Sequence, residues 1–459
     1  FSTGLIYIPG TYSNTDEVVA LAKAAARYDG VYASHMRDEG EKIMEAIEEA
    51  VRVGKEAGMR VQLSHFKIDN KRLWGTSDKS LALVERFRRE GVDVVVDQYP
   101  YDRSSTNLGI TLPSWALADG DAAVAERLKN PQTRARIARE MEEKLKEKGR
   151  ADYSYATVAT FKPDRSYEGK TISEINVLKG RTKTLANEIQ TVLELIEQGG
   201  AQMVYHSMSA EDVERILRHP HTAIASDGGV REFGVGMPHP RSYGTNARVL
   251  AEYVRRRKAI TLEDAIRRMT SLPARTFAFR DRGLVREGMA ADLVIFDPER
   301  VEDKATFENP HQFTEGIDWA LVNGVVMVED GKLTEARGGR ALRHTAAPRA
   351  AYDLLIRNAR AGNGAGGRNG RAALGRDRGA APGEDAAWTM TWLAARTSQT
   401  RSRGEVREGD RADLALFDPR PYAAGFDAGI ADGRAMIKDG EAPAARPGRA
   451  LRLKDGVTR

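Results

Sequence analysis

Short apolar segments recur in the first half of this chain about every thirty residues, and several end in a histidine or an aspartate. Val31-Tyr32-Ala33-Ser34-His35 precedes a stretch over about 39–57 in which Ile43, Ile47, Ala50 and Gly54 share one helical face. Arg60-Val61-Gln62-Leu63-Ser64-His65 follows, then a predicted helix over about 78–90 with Ser77 as its N-cap. Val92-Asp93-Val94-Val95-Val96-Asp97 is nearly continuous in apolar residues, as a strand covered on both faces is. Thr222-Ala223-Ile224-Ala225-Ser226-Asp227 is a further strand. Alternating strands and helices, with ionisable residues at the strand ends, predict a (β/α) barrel whose chemistry gathers at that end.

About five such strands can be read, whereas closure takes eight. The chain opens on Phe1-Ser2-Thr3-Gly4-Leu5-Ile6-Tyr7, a strand already under way with no initiator Met. The expectation is an α/β chain over 1–258 forming a partial barrel, incomplete on its N-terminal side. Residues 110–200 break the rhythm: 121–148 reads as at best a charged helix pair, and 153–182 is mixed and polar. An insertion of this kind over a barrel mouth forms a lid, or else a surface excursion without a role.

Over 259–343 a helix, Leu262 to Met269, leads into short strands split by glycine turns, which predicts a small β-sandwich segment. Met269-Thr270 through Asp297-Pro298 then returns as Met390-Thr391 through Asp418-Pro419, at a constant offset of 121. Residues 390–459 thus read as a degenerate repeat of that segment, with Phe277 and Phe279 replaced by Ser398 and Thr400. The intervening 344–389 is a linker whose 362–383 stretch, rich in Gly, Ala and Arg, is expected to be flexible.

There is no cysteine among the 459 residues, so a metal would need His, Asp, Glu or a modified Lys. A formal charge of +5, its excess Arg mostly in the Gly- and Ala-rich tail, argues against a nucleic-acid partner. No apolar run is long enough to cross a bilayer, so no membrane partner is expected and the chain reads as cytoplasmic.

His35 and His65 end apolar strands in matching Ser-His contexts, and Asp227 ends a later one. Either histidine alone reads most simply as structural. On adjacent parallel strands the two converge, and imidazole nitrogen with a nearby carboxylate suits Zn²⁺. His219 and His221 have ligand-like spacing but precede their strand, and His206, His311 and His344 lack such a context. Lys67, Tyr99, Ser104, Ser105 and Arg241 lie close in sequence to these strand ends. They read either as solvated loop groups or as a grip on a carboxylate-bearing substrate.

The segments Phe1 to Tyr7 with Pro9-Gly10-Thr11-Tyr12, Tyr32-Ala33-Ser34-His35-Met36-Arg37 and Ser64-His65-Phe66-Lys67 resemble the N-acyl-D-amino-acid deacylases of the metal-dependent amidohydrolase superfamily. So do Asp97-Gln98-Tyr99-Pro100-Tyr101, Ser226-Asp227-Gly228, Pro238-His239-Pro240-Arg241 and Tyr243-Gly244-Thr245. The likeness runs from residue 1 to about 343. It implies a barrel with one or two zinc ions, a small β-sandwich built from both chain ends, and a lid over 110–200. His35 and His65 would hold the tightly bound zinc, with Asp227 beside them as metal ligand and proton carrier. Lys67, Tyr99, Ser105 and Arg241 would hold the substrate carboxylate or polarise its amide. The implied activity is hydrolysis of an N-acyl-D-amino acid to a carboxylate and a free D-amino acid. The resemblance also implies a His-x-His pair and a bridging ligand on earlier strands, and neither is in this sequence. Two further readings stay open: a non-catalytic or incomplete fragment, and an amidohydrolase acting on another amide, such as a cyclic one. Ala351 to Arg360 is similar to the start of an amidohydrolase chain, displaced as in a circular permutation or a misassembled frame.

Overall fold

The structure, a computed structural model, describes residues 1–343 and, further on, the backbone of five strands. The chain divides into two compact units, Phe1–Ala346 and Ala347–Arg459.

In the first unit β1 (Ser2–Gly4), α1 (Thr15–Ala26), β2 (Val31–His35), α2 (Ile43–Ala57), β3 (Arg60–Leu63), α3 (Ser77–Arg89) and β4 (Val94–Gln98) alternate as the apolar pattern predicts. After a long excursion, described below, comes the fifth strand of the sheet, Thr222–Ile224. The sheet is parallel throughout, with Ser34 beside Leu63, Leu63 beside Val96 and Asp97 beside Ala223. Its outer face is sealed by α1, α2 and α3, with Val19, Ile47, Val51, Val61, Leu63 and Val94 in one core.

Two boundaries differ from expectation, each because a side chain takes over backbone groups. The helix predicted from 39 starts at Ile43, since the Asp38 carboxylate accepts the amides of Gly40 (2.7 Å) and Lys42 (3.0 Å) in a turn of its own. Ser77 opens α3 rather than capping it. Asp212, distant in sequence, accepts the amides of Gly75 (2.6 Å) and Ser77 (3.1 Å).

The excursion between β4 and the fifth strand is a folded layer, wider than 110–200. It carries β5 (Arg103–Asn107), α4 (Asp121–Lys129), α5 (Pro131–Glu147), β6 (Ala156–Thr160), α6 (Ile172–Leu178), α7 (Leu185–Glu197) and β7 (Gln202–His206), after which α8 (Ala210–Arg218) returns the chain to the parallel sheet. Thr222–Ile224 is thus β8. Strands β5, β7 and β6 form an antiparallel sheet in that order. Ile137, Met141, Leu145, Val158, Val192 and Met203 belong to a core of the layer's own. Asn130 caps α5 by accepting the amides of Gln132 and Thr133, with Pro131 in the first turn. The helix has one apolar stripe, and charged residues hide it from a reading of composition. Its C-terminal end is fastened to the loop after β3: Lys148 pairs with Asp69 at 2.7 Å, and Lys71 N–H donates to the Lys148 carbonyl at 3.2 Å.

After α9 (Arg241–Arg248) and α10 (Leu262–Met269), strands β9 (Leu293–Phe296), β10 (Ile317–Val322), β11 (Val325–Glu329) and β12 (Lys332–Leu333) form one antiparallel sheet. Among the described residues of this segment the strands make one layer. The β10–β11 turn is Asn323-Gly324, both at positive φ (50° and 80°), as a two-residue hairpin requires.

In the second unit β13 (Leu355–Gly362) pairs antiparallel with β14 (Gly367–Ala373). Strands β15 (Leu414–Leu416), β16 (Ala428–Ala431) and β17 (Arg434–Lys438) follow in a second antiparallel sheet. Their registers reproduce those of the first copy. Leu414 faces Ile430 as Leu293 faces Leu321, and Ala431 faces Arg434 as Val322 faces Val325. The bulge between Ala320 and Leu321 recurs between Gly429 and Ile430. The rest of the linker and repeat lies outside the described residues.

At Gly54 α2 comes so close to β3 that a Cβ would run into Val61 Cγ2, with the Met59 carbonyl 3.1 Å away. Gly54→Ala is expected to destabilise the chain by about 1–3 kcal/mol through overpacking, read as a lower urea midpoint.

Candidate functional site

All the candidate residues but Ser105 sit at or shortly past the end of an element. His35 is the last residue of β2, while His65 and Lys67 follow β3 directly. Tyr99 follows β4, Ser105 lies within β5, Asp227 follows β8, and Arg241 is the first residue of α9. His65, Lys67, Tyr99, Ser105 and Asp227 line one cavity of about 80 Å³, which the insertion helix α5 closes with Met141 and Leu145. His35 reaches it through His65, and Arg241 through Asp227 and Tyr99.

The two imidazoles meet edge to face, ring centroids 4.3 Å apart, with His65 Nε2 against His35 Nδ1. Burial and the neighbouring His65 lower the His35 pKa, which favours the neutral, lone-pair-bearing ring. His65 is held in a left-handed backbone conformation (φ 39°), and Asp227 in another (φ 47°). Both are costly for residues with a Cβ. At His65 the strain is offset by a buried partner: the Asp97 carboxylate accepts its backbone N–H at 2.7 Å. Burial raises the Asp97 pKa, and hydrogen bonds from His65 N–H and the Gln62 amide work against that rise.

Behind His65 lies a carboxylate that sequence reasoning passed over. Glu39, buried in the loop after β2, places Oε1 2.7 Å from Lys67 Nζ and 2.7 Å from His65 Nδ1. Burial alone would raise its pKa, but the charges of Lys67 and His65 hold it well below the usual carboxylate range. Its position four residues past His35 was the available signal, masked by a charged run that reads as solvated loop.

On the other side Arg241 lays its guanidinium over the Tyr99 ring, 4.4 Å from the centroid, and pairs with Asp227 Oδ2 at 2.9 Å. Its Nη1 and the Tyr99 hydroxyl are buried and have no hydrogen-bond partner. His239 aims this loop, with Nε2–H donating to the Arg103 carbonyl (2.9 Å) and Nδ1 accepting the Arg241 amide (3.0 Å). Ser105 is less free than expected, because its hydroxyl donates to the Met203 carbonyl at 2.8 Å.

The other histidines are elsewhere. His219 Nε2 lies 2.9 Å from Glu85, and His219 and His221 precede β8, at the far end of the sheet. His206 is 3.5 Å from Asp102, and His311 bonds the Gly236 carbonyl and Tyr243. His344 lies outside the described residues. Among the described residues no group of three or more His, Cys, Asp or Glu side chains is disposed to hold a metal ion. The donors that converge are the two imidazole nitrogens. Their chemistry suits zinc, but they fall short of the three protein ligands usual in a catalytic site.

Comparison with known proteins places these features in context. The amidohydrolase family model matches residues 13–328. The D-aminoacylase of Alcaligenes xylosoxydans xylosoxydans is 34% identical over 347 residues, covering 75% of this chain and 61% of that protein. A crystal structure of a D-aminoacylase aligns with a TM-score of 0.59 at 34% identity, over 73% of this chain and 60% of the other. The N-acyl-D-glutamate deacylase of Bordetella bronchiseptica, crystallised with zinc and a phosphonate mimic of the tetrahedral intermediate, aligns at 0.56 and 32% identity, over 72% and 61%. The chain therefore spans about three fifths of the length of the relatives it matches. Among the described residues no helix is long and apolar enough to cross a membrane.

Lys144, on the cavity wall, donates to the Ile110 (2.7 Å) and Leu112 (3.1 Å) carbonyls. Burial, followed by the like charge of Lys148, brings its pKa from 10.5 to about 8. Between those values the unfolded chain binds more protons than the folded one, so stability contributed at this site rises with pH. The urea midpoint of the parent relative to Lys144→Met is expected to climb between pH 7.5 and pH 10.

Proposed function

Since the chain belongs to the amidohydrolase family, we propose that it serves the zinc-dependent hydrolysis of N-acyl-D-amino acids to a carboxylate and a free D-amino acid. In this reading the five parallel strands are part of a (β/α)8 barrel, the strands of 293–333 belong to its small β-sandwich, and the excursion is its lid. The observation that carries the proposal is a pair of buried polar atoms without partners, Arg241 Nη1 and the Tyr99 hydroxyl, beside two converging imidazoles. A buried donor left unpaired costs about 1–3 kcal/mol, so the pair is built for a ligand that accepts hydrogen bonds. A carboxylate does so, and a guanidinium over an aromatic ring is rigid enough to orient it.

Zinc, held at His35 Nδ1 and His65 Nε2, would polarise the scissile carbonyl and acidify the attacking water. Asp227 takes the proton of that water on a carboxylate oxygen and hands it to the nitrogen of the leaving amine. Arg241 and Tyr99 hold the substrate carboxylate, Lys67 completes the positive wall, and Ser105 offers its hydroxyl oxygen as an acceptor. The pairing of Asp227 with Arg241 links the proton carrier to the group that fixes the substrate, so that binding and proton transfer share one geometry. The similarity to the N-acyl-D-glutamate and D-aminoacylase enzymes supports this substrate class. The cavity excludes neither acyl nor side-chain variation. A second reading, a non-catalytic or incomplete site, is favoured by one observation: two converging donors where three are usual.

The test is release of amine from paired N-acetyl-D- and N-acetyl-L-amino acids by the zinc-supplemented chain. The expected outcome is D-selective release that falls about 10²–10⁴-fold in Asp227→Asn and is lost in His35→Ala. In Arg241→Met, KM is expected to rise about 10–100-fold with the loss of a charge-assisted hydrogen bond. No release from a folded, zinc-loaded chain would decide for the second reading.

A further inference from the structure

Glu39 touches neither the cavity's unpaired donors nor Asp227, yet it is buried at the centre of the positive wall. A neutral imidazole carries one proton, so His65 can offer Nε2 as a lone pair only if the proton sits on Nδ1. Two groups compete for Nδ1. Glu39 Oε1, 2.7 Å away, accepts a proton from it. The Lys67 ammonium, 2.5 Å away, donates to it, and that contact would force the ring proton to Nε2, facing His35. The same Glu39 oxygen also receives Lys67 at 2.7 Å. The carboxylate therefore satisfies both donors, and the ring is otherwise fixed through the His65 backbone bond to Asp97.

We propose that Glu39 is a positioning residue that holds His65 in its Nδ1–H tautomer, turning the Nε2 lone pair toward a metal and keeping Lys67 from capturing Nδ1. The proposal rests on the reading of His65 as a metal ligand. A carboxylate behind a ligating histidine fixes its tautomer and raises its basicity, and its loss typically weakens metal binding about 10–100-fold. The competing lysine makes Glu39 an arbiter between the metal end and the substrate end of one site. Lys67 Nζ contacts both Glu39 Oε1 and His65 Nδ1, and Lys67 drawn to substrate leaves Glu39 wholly to the imidazole.

Zinc affinity of the whole chain, measured by competition with a chromophoric chelator, tests this without recourse to turnover. Glu39→Gln is expected to weaken zinc binding about 10–100-fold, Lys67→Met to leave it at or above the parent value, and Glu39→Asp to fall between Glu39→Gln and the parent. The decisive variant is Glu39→Gln combined with Lys67→Met, which should recover part of the lost affinity because the competitor for Nδ1 is gone. A merely structural role for Glu39 predicts no such recovery. Parent-like affinity in Glu39→Gln, or a double variant as weak as Glu39→Gln alone, overturns the proposal. If Glu39→Gln does not fold, by its thermal melt, the same comparison is made on Glu39→Asp with and without Lys67→Met. A folded parent chain that binds no zinc removes the metal reading itself, a result distinct from failure of the Glu39 role.

Discussion

Parallel strands impose a direction. Where five of them lie in one sheet, their carboxyl ends share a rim, and whatever polar residue ends each strand arrives there with its neighbours. The apolar runs secure this by burying the strands against α1, α2 and α3, leaving only the rim free to carry chemistry. His35, His65, Tyr99 and Asp227 come from four different strands of that sheet, spread over nearly two hundred residues of chain, yet the last three line one cavity and His35 contacts His65 behind it. The insertion adds the missing wall, and it is not loosely draped. Its own core makes it rigid, and Lys148 with Asp69 ties its longest helix to the loop that bears His65 and Lys67.

Charge at this site is balanced pair by pair: Glu39 with Lys67, Asp227 with Arg241, Asp69 with Lys148. Of the three, Glu39 with Lys67 is buried at both ends, and removing one partner there leaves the other without compensation, which costs more than the pair itself contributes.

Much of this was legible in the sequence, for a physical reason. Strand ends were marked by the switch from continuous apolar residues to His or Asp, and α10 has the bounds expected of it, with Thr261 capping its start. What escaped the reading depended on partners far along the chain. Asp212 organising the start of α3, Glu39 turning inward from a charged run, and the insertion's sheet with β5 and β7 paired across a hundred residues have no local signature. Ser105 was placed correctly beside the site, yet its hydroxyl went to a carbonyl that only the folded sheet supplies. The repeat shows the converse. Its copies differ in apolar weight and in most of the paired residues, but both keep the register of the strand ladder, and the bulge survives with it.

The left-handed backbone at His65 and Asp227 has a bearing on how the chain would respond to selection. Glycine or asparagine would relax either position, so a population of variants sorted for thermal endurance alone should drift toward them. His65 and Asp227 would then be among the first residues erased, and the hardiest descendants would be those that had lost the groups on which the proposed reaction rests.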